Sequence, residues 1–464
     1  MQIYNTLTKQ KQEFKPIKDN YVGIYSCGPT VYDYDHIGHA WKYFNDDILK
    51  RTFKYLDYKV KHVMNITDVG HLTSDGDSGE DKLEKGAKRE NKTPWKIAEF
   101  YTKIFFENVQ KMNYIKPDVV CKATDYVKEM IAMNKILVEK GFAYESNDAL
   151  YFDITKFPNY GKLSGNTLEQ LQAGARIKVN ENKKNPHDFV LWVKAINEHA
   201  NHAMVWNSPW GKGFPGWHIE CSTMSTKHLG KTIDIHTGGE DNIFPHHECE
   251  IAQSESATGK KFVNYWMHTR FLMVNGRKMS KSLNNFYRIQ DIEEKGFDPL
   301  ALRFLFLQAH YRSKINFTWQ SLQAAQNGLD RLRHFIYNDS TRDPSASLRS
   351  AQDDYKKQFI KYISDDFNIP QAFSLVPKIL KSDLSNQDKL ATILDFDKVF
   401  GLNLNKIENK KINIPDKIQK LIEQRKKARE NKNFRLADEL RDEIEKKGFL
   451  IEDSENYNFT IKKI

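Results

Sequence analysis

Apolar and polar positions alternate along this chain in two periods, and the change from one to the other marks its elements. Tyr21-Val22-Gly23-Ile24-Tyr25 is an unbroken apolar run, the pattern of a strand buried on both faces. After the turn residues Gly28-Pro29, Ile37, Trp41, Phe44 and Ile48 recur at spacings of four, three and four, the period of one helix face. The run Lys59 to Asn65 reads as a second strand. The three elements together form a β–α–β unit, which requires parallel strands.

Further along, His71 to Asn91 is charged, contains three glycines and is expected to be a mobile loop. Ile97, Tyr101, Ile104, Phe105, Val109 and Met112 mark an amphipathic helix. From Lys116 to about Asn201 the pattern shifts to one helix, Tyr126 to Lys140, followed by short strands such as Ala149 to Phe152, which reads as an insertion. Ile233 to Thr237 and Phe262 to His268 are further strands, separated by a helix from about Pro245 to Gly259. Beyond Asp298 the chain is expected to be all-helical to about Leu402. A Lys/Asn-rich linker at Asn405 to Asn413 precedes two short helices, Ile418 to Arg429 and Phe434 to Lys447, and two strands.

Composition changes this picture little. With 464 residues the chain can hold more than one domain, and its net charge of +10 suits a polyanionic partner or a merely Lys-rich surface equally well. Four cysteines, Cys27, Cys121, Cys221 and Cys249, are too few for a disulfide scaffold. The N-terminus lacks a signal-peptide pattern and no apolar run approaches a membrane span, so a cytoplasmic protein without membrane association is expected.

The chemistry gathers in a few stretches. His36-Ile37-Gly38-His39 falls where the first strand turns into its helix. There, backbone N–H groups and the helix dipole favour a phosphate. Taken alone, such a pair of histidines is more often a cap. Lys278-Met279-Ser280-Lys281-Ser282 comes after a turn-forming Asn275-Gly276-Arg277 and offers cations and hydroxyls to a polyphosphate. His246-His247-Glu248-Cys249-Glu250 opens a helix, with His246 and Glu250 four apart on one face. Thiols at Cys27 and Cys221 beside them suit Zn²⁺ better than a hard cation, although by type His247 and Cys249 are equally eligible.

The paired HIGH and KMSKS stretches are the signatures of class I aminoacyl-tRNA synthetases. CGPTVYDYDHIGHA, FPGWHIECSTM, DIHTGGEDNIFPHHECEIAQSES and KMSKS together resemble the cysteinyl-tRNA synthetases, and the likeness extends from IYNTLTKQKQEFKP through HYRSKINFT to LADELRDEIEKKGFLIED. The resemblance implies an α/β fold with a Rossmann-like parallel-sheet catalytic domain. Its first half would span 1–115, a connective insertion 116–204 and its second half 205–297. A helical bundle at 298–404 and a small α+β anticodon-binding domain at 414–464 would come after it. It implies zinc on Cys27, Cys221, His246 and Glu250; catalysis by His36, His39, Lys278 and Lys281; and ATP contacts from His36, Gly38, His39, Glu240, Asp241 and Lys281. Cysteine would meet Cys27, Thr67, Trp217 and His236. ATP with Mg²⁺, cysteine and tRNA(Cys) are the implied substrates, and a monomer is expected.

Zinc makes chemical sense in that setting. Cysteine and serine differ by one atom, which an apolar pocket separates only roughly ten- to a few-hundred-fold, whereas zinc binds a thiolate far better than an alcohol. Three rival readings compete. A zinc hydrolase would explain HHECE but not HIGH or KMSKS. A tRNA-independent ligase joining cysteine to an amino-sugar would share the zinc and ATP motifs. The basic run Lys420, Arg425, Lys426, Lys427 and Arg429 near the end argues against it. A catalytically dead RNA-binding relative would not keep its motifs intact.

Overall fold

The computed structural model describes all residues except 74–78, 167–179, 281, 282, 284, 340–349, 407–414, 454–458 and 464. Two compact units emerge, Met1–Leu404 and Asn405–Ile464.

The first unit is organised on five parallel strands: β1 (Tyr21–Ser26), β2 (Lys59–Ile66), β3 (Val119–Lys122), β4 (Ile233–Gly239) and β5 (Val263–Thr269). Their spatial order is β3-β2-β1-β4-β5. The chain therefore winds outward from β1 in one direction and then, from β4, in the other. The reversal between β1 and β4 opens a crevice at the strands' C-terminal ends, where α/β sheets bind ligands. Alternate residues of β1 serve opposite faces. Val22 and Ile24 pack with Leu49 and Phe53 of α1 (Ile37–Tyr55). Tyr25 packs with Ile219 and Met224 of α2 (Trp217–Leu229) and Ile251 of α3 (Glu248–Thr258). The apolar period read in α1 is its buried face, since Ile37, Trp41, Phe44 and Ile48 are all enclosed.

Three sequence expectations change. The stretch His71 to Asn91 is not simply a loop. Leu72 bridges Asp81, Thr73 N–H donates to the Glu80 carbonyl at 3.0 Å, and Lys82–Glu90 is a helix capped by the Asp81 carboxylate. The insertion's antiparallel sheet joins Ala143–Glu145, Ala149–Phe152, Phe189–Lys194, Gly211–Pro215 and Trp206–Ser208. It thus runs past residue 204, while β3, counted with the insertion from sequence, pairs with β2 in the parallel sheet. The region from Asp298 to Leu402 also contains, among the described residues, one strand, Ile315–Phe317, which pairs parallel with Leu272–Val274. The latter pairs antiparallel with Arg277–Lys278 through Asn275-Gly276, both at positive φ (49° and 74°), a backbone that suits a tight two-residue hairpin.

The second unit packs helices Asp416–Glu430 and Phe434–Lys446 with the hairpin Phe449–Asp453/Phe459–Lys463 around Ile418, Ile422, Ile444, Phe449 and Ile451. Arg425, read from sequence as part of a basic surface run, is 2 % exposed and belongs to the interior, whereas Lys420, Lys426 and Lys427 face solvent. Most of the linker before this unit lies outside the described residues. No helix among the described residues is long and apolar enough to cross a membrane.

Candidate active site

A cavity of about 560 Å³ opens over the crevice. Its lining includes Cys27, Thr67, Trp217, Cys221, His246, His36, Gly38, His39, Asp241 and Lys278. Residues far apart in sequence thus meet because β1, β2, β4 and the starts of α1 and α2 converge there.

His36 caps α1. Its Nδ1 accepts the Gly38 and His39 backbone N–H groups at 3.1 and 3.2 Å, and its own backbone N–H donates to His39 Nδ1 at 3.3 Å. The rings stack with centroids 3.7 Å apart. In this cap each Nδ1 acts as an acceptor. A neutral ring then carries its proton on Nε2, as a donor. Gly38 is required by space, for a Cβ there would stand 2.9 Å from the His36 ring.

Lys278 ends the Asn-Gly hairpin, with Nζ 4.9 Å from the Phe271 ring centroid. Asn285 braces the adjoining backbone, donating to the Lys278 carbonyl at 3.2 Å and accepting Ser280 N–H at 2.8 Å. Lys281 lies outside the described residues.

Among the described residues, two sets of side chains could hold a metal, each with ligand atoms within 4.8 Å of one another: Cys27, Cys221, His246 and Glu250; and Cys27, His236, His247 and Glu250. All are buried. Cys27 Sγ lies 3.2 Å from His247 Nε2, His246 Nε2 3.1 Å from Glu250 Oε1, and His236 Nε2 2.8 Å from Glu250 Oε2. Burial acts to raise the Cys27 thiol, but the hydrogen bond with Cys221 and the neighbouring His246 bring it down to about 6, while Cys221 itself is pushed well up. Burial likewise opposes charge on His246, yet Cys27 and Glu250 raise it to about 10. Thiol, imidazole and carboxylate donors thus crowd together in one buried pocket, the donor types that suit a soft metal ion. Outer contacts orient these candidate donors: His246 Nδ1 meets His218 Nδ1 at 2.8 Å, and His247 Nδ1 meets His268 Nε2 at 2.7 Å. Cys249 belongs to neither set and lies 3.5 Å from the Tyr160 hydroxyl.

Thr67 and Trp217 line the cavity; His236 and Glu240 do not. His236 stands behind Glu250, its ring stacked on Trp266 with centroids 4.6 Å apart. Glu240 accepts Phe271 N–H at 2.7 Å and pairs with Arg270 at 2.8 Å. Thr67 Oγ1 donates to Glu220 Oε2 at 2.7 Å and accepts from Asn65 Nδ2 at 3.1 Å, which leaves acceptor capacity toward the cavity. Trp217 stacks on His71, with centroids 3.9 Å apart, and its ring stands 4.2 Å from that of His246. The run Asn65-Ile66-Thr67-Asp68 reads from sequence as the ligand-facing end of its strand, and Asn65 and Thr67 line the cavity; sequence reading missed His71, Lys82 and Glu220. Glu220 adjoins the singled-out Cys221, whereas His71 and Lys82 were absorbed into the supposed loop.

Residues 13–327 match the family described as tRNA synthetases class I (C) catalytic domain, and residues 413–457 the family described as Cysteinyl-tRNA ligase anticodon binding domain. A cysteine–tRNA ligase of Treponema denticola is 46% identical, covering 98% of this chain and 98% of its own. One from Thermus thermophilus is 41% identical over 97% of each. Among solved structures, methionyl-tRNA synthetase of Mycobacterium tuberculosis bound by methionyl-adenylate superimposes with a TM-score of 0.57, covering 83% of this chain and 93% of that one. At 14% identity that likeness concerns the fold alone.

Proposed function

The chain belongs to the cysteine–tRNA ligase family, and within that ATP-dependent activity we propose specific roles for its own residues. Cys27, Cys221, His246 and Glu250 would hold Zn²⁺, which when bound supplies a soft centre that prefers the substrate thiolate to the hydroxyl of serine. The observation that carries this reading is that Cys27, Cys221 and His246 line the cavity, whereas His236 and His247 of the rival set do not. A metal that reads a substrate has to face the substrate's space.

Thr67 would accept from the cysteine ammonium and Trp217 would wall the pocket. The cysteine carboxylate attacks the α-phosphate of ATP, forming the P–O bond of cysteinyl-adenylate as the bond to pyrophosphate breaks. His36 and His39, as Nε2–H donors, would meet the phosphate oxygens. Lys278 and Lys281 would take up the charge that moves onto pyrophosphate, with Mg²⁺ accompanying ATP. Gly38 would let the phosphates approach, and Asp241 would meet the ribose. We assign Glu240 to shaping that wall through Phe271 and Arg270, and His236 to orienting Glu250. A hydroxyl of the terminal adenosine of tRNA then attacks the adenylate carbonyl and AMP departs. The C-terminal unit would read the anticodon, with Lys420, Lys426 and Lys427 available to phosphates. The match of residues 413–457 disfavours the amino-sugar ligase. Four free cysteines support a reducing cytoplasm, and we take the single chain as the working unit.

The test is cysteine-dependent ATP–pyrophosphate exchange on the purified protein. Exchange with cysteine and almost none with serine is expected; equal rates with both would overturn the zinc-based reading.

A further inference from the structure

Cys27 stands one residue beyond Ser26, the last residue of β1. Past a strand's end the ladder no longer fixes the backbone, and a side chain there can swing with it. Cys27 is held nonetheless at each polar backbone group around it. Its N–H donates to the Thr237 carbonyl of β4 at 3.1 Å. Its carbonyl accepts from Lys42 Nζ of α1 at 2.6 Å. The next N–H, that of Gly28, donates to Asn65 Oδ1 of β2 at 2.7 Å. The peptide between Cys27 and Gly28 is thus gripped at both of its polar atoms by side chains from two different elements.

Lys42 is itself held. Its Nζ also donates to Asp46 Oδ2 at 2.7 Å, one turn further along α1, and both side chains are almost wholly enclosed. Asp46 Oδ1 accepts from the Thr237 hydroxyl at 2.7 Å. The contacts close a ring: Thr237 holds Cys27 through its carbonyl and Asp46 through its hydroxyl, Asp46 holds Lys42, and Lys42 holds Cys27. A buried ion pair is a weak source of stability, because desolvation offsets much of its attraction. What this pair supplies is direction, for it aims an ammonium at the carbonyl of a candidate metal donor. Lys42 lines the cavity one turn past His39, so the bond also ties the thiol end to the helix that carries His36 and His39.

We propose that Lys42 is a positioning residue of the metal site: by holding the Cys27 carbonyl it sets the direction in which the Cys27 sulfur meets the ion, and with it the preference for cysteine over serine. In this role Lys42 touches neither metal nor substrate and acts through Cys27, while Asp46 orients Lys42. A donor whose direction is set by an outer contact loses less freedom when the metal binds, which is why such contacts raise metal affinity. The proposal rests on the zinc reading above. If the unsubstituted protein binds no zinc, that reading fails; the outcomes below are measured against a zinc-bound parent and concern Lys42 alone.

The experiment uses the full chain and reads zinc affinity by competition with a chromophoric chelator, alongside the ratio of cysteine- to serine-dependent exchange. Lys42→Met should lower zinc affinity roughly ten- to a hundredfold, the loss expected for an outer contact of a metal ligand, and should narrow the cysteine-to-serine ratio. The KM for ATP should stay unchanged. Asp46→Asn removes the ion pair but keeps an acceptor for Lys42; it should lower the melting temperature and leave zinc affinity within a few-fold of the parent. The double variant Lys42→Met, Asp46→Leu leaves no buried charge unpaired, so it is read in place of Lys42→Met if that variant fails to fold, with the same loss of zinc expected. Unchanged zinc affinity without Lys42, or a loss of zinc in Asp46→Asn equal to that in Lys42→Met, would overturn the proposal. So would a rise confined to the KM for ATP with the cysteine-to-serine ratio intact.

Discussion

At one end of the cavity stand Cys27, Cys221 and His246, each under 9 % exposed and cross-braced by Glu250, His218 and the histidines behind them. At the other stand Lys278, exposed at the surface, and the half-buried Met279 and Ser280, held chiefly by one asparagine and a three-stranded ladder of short strands. The thiol end is packed on both sides of the central sheet. The lysine end hangs from a hairpin. In the roles proposed above, the thiol end discriminates between sulfur and oxygen, a task that benefits from a site formed in advance, because any slack would admit the wrong one. The lysine end would act on charge appearing only as pyrophosphate leaves, and a loop can supply such groups, since their task is differential binding of the transition state.

The largest effect that would test this contrast lies at the thiol end. Cys221→Ser should lower bound zinc, measured by metal analysis, and reduce cysteine-dependent exchange roughly a hundredfold or more. Full zinc content in that variant, or zinc lost instead from Cys249→Ser, would break the assignment. Next comes the lysine end. Lys278→Ala should slow single-turnover adenylate formation by roughly a hundredfold with cysteine affinity unchanged. If affinity falls and the rate does not, the two ends do not divide the work in this way.

A third test concerns the floor beneath Cys27. His62, 3 % exposed, sits with Nε2 2.8 Å from Ser26 Oγ, and burial lowers its pKa to about 4. The unfolded chain therefore takes up a proton near pH 6.5 that the folded chain refuses until about 4. Stability is full above the unfolded value and is lost as pH falls through this window, by about 2 kcal/mol at pH 5 from this residue. Denaturant titrations at pH 7 and 5 should show that loss, and His62→Asn should flatten it. The smallest expected effect is that of Asn285→Ala. Losing its two hydrogen bonds should cost about 1 kcal/mol of loop order and slow exchange only a few-fold, leaving metal content and cysteine binding intact. An effect as large as that of Lys278→Ala would mean the lysine end is as preformed as the thiol end.

Local chemistry explains why so much was legible in advance. A both-face-buried strand, a 3.6-residue apolar period and a Gly-Pro turn fixed β1 and α1 within a residue or two, because each is decided by neighbours in sequence. The same holds for the turn at Asn275-Gly276 and the helix pair at the C-terminus, although the strands that make that turn a hairpin were not read from sequence. The motif residues His36, His39, Lys278, Cys27, Cys221, His246 and Glu250 were named from residue type, spacing and family likeness.

Other features needed the folded chain. The stretch from His71 to Lys82 lacks apolar periodicity, so nothing local shows that Leu72 bridges Asp81 or that His71 stacks on Trp217. Ile315–Phe317 is too short to signal a strand and becomes one by pairing with Leu272–Val274. His246 and His247 are chemically identical and adjacent. Which of them can face a substrate depends on where the short helical turn before α3 aims each ring, toward the cavity or toward His268. The sequence by itself determined which atoms could do the chemistry, because side-chain type and short-range periodicity are local properties. Only the tertiary structure decided which of those atoms share a cavity, because that depends on strands far apart in the chain meeting at one crevice.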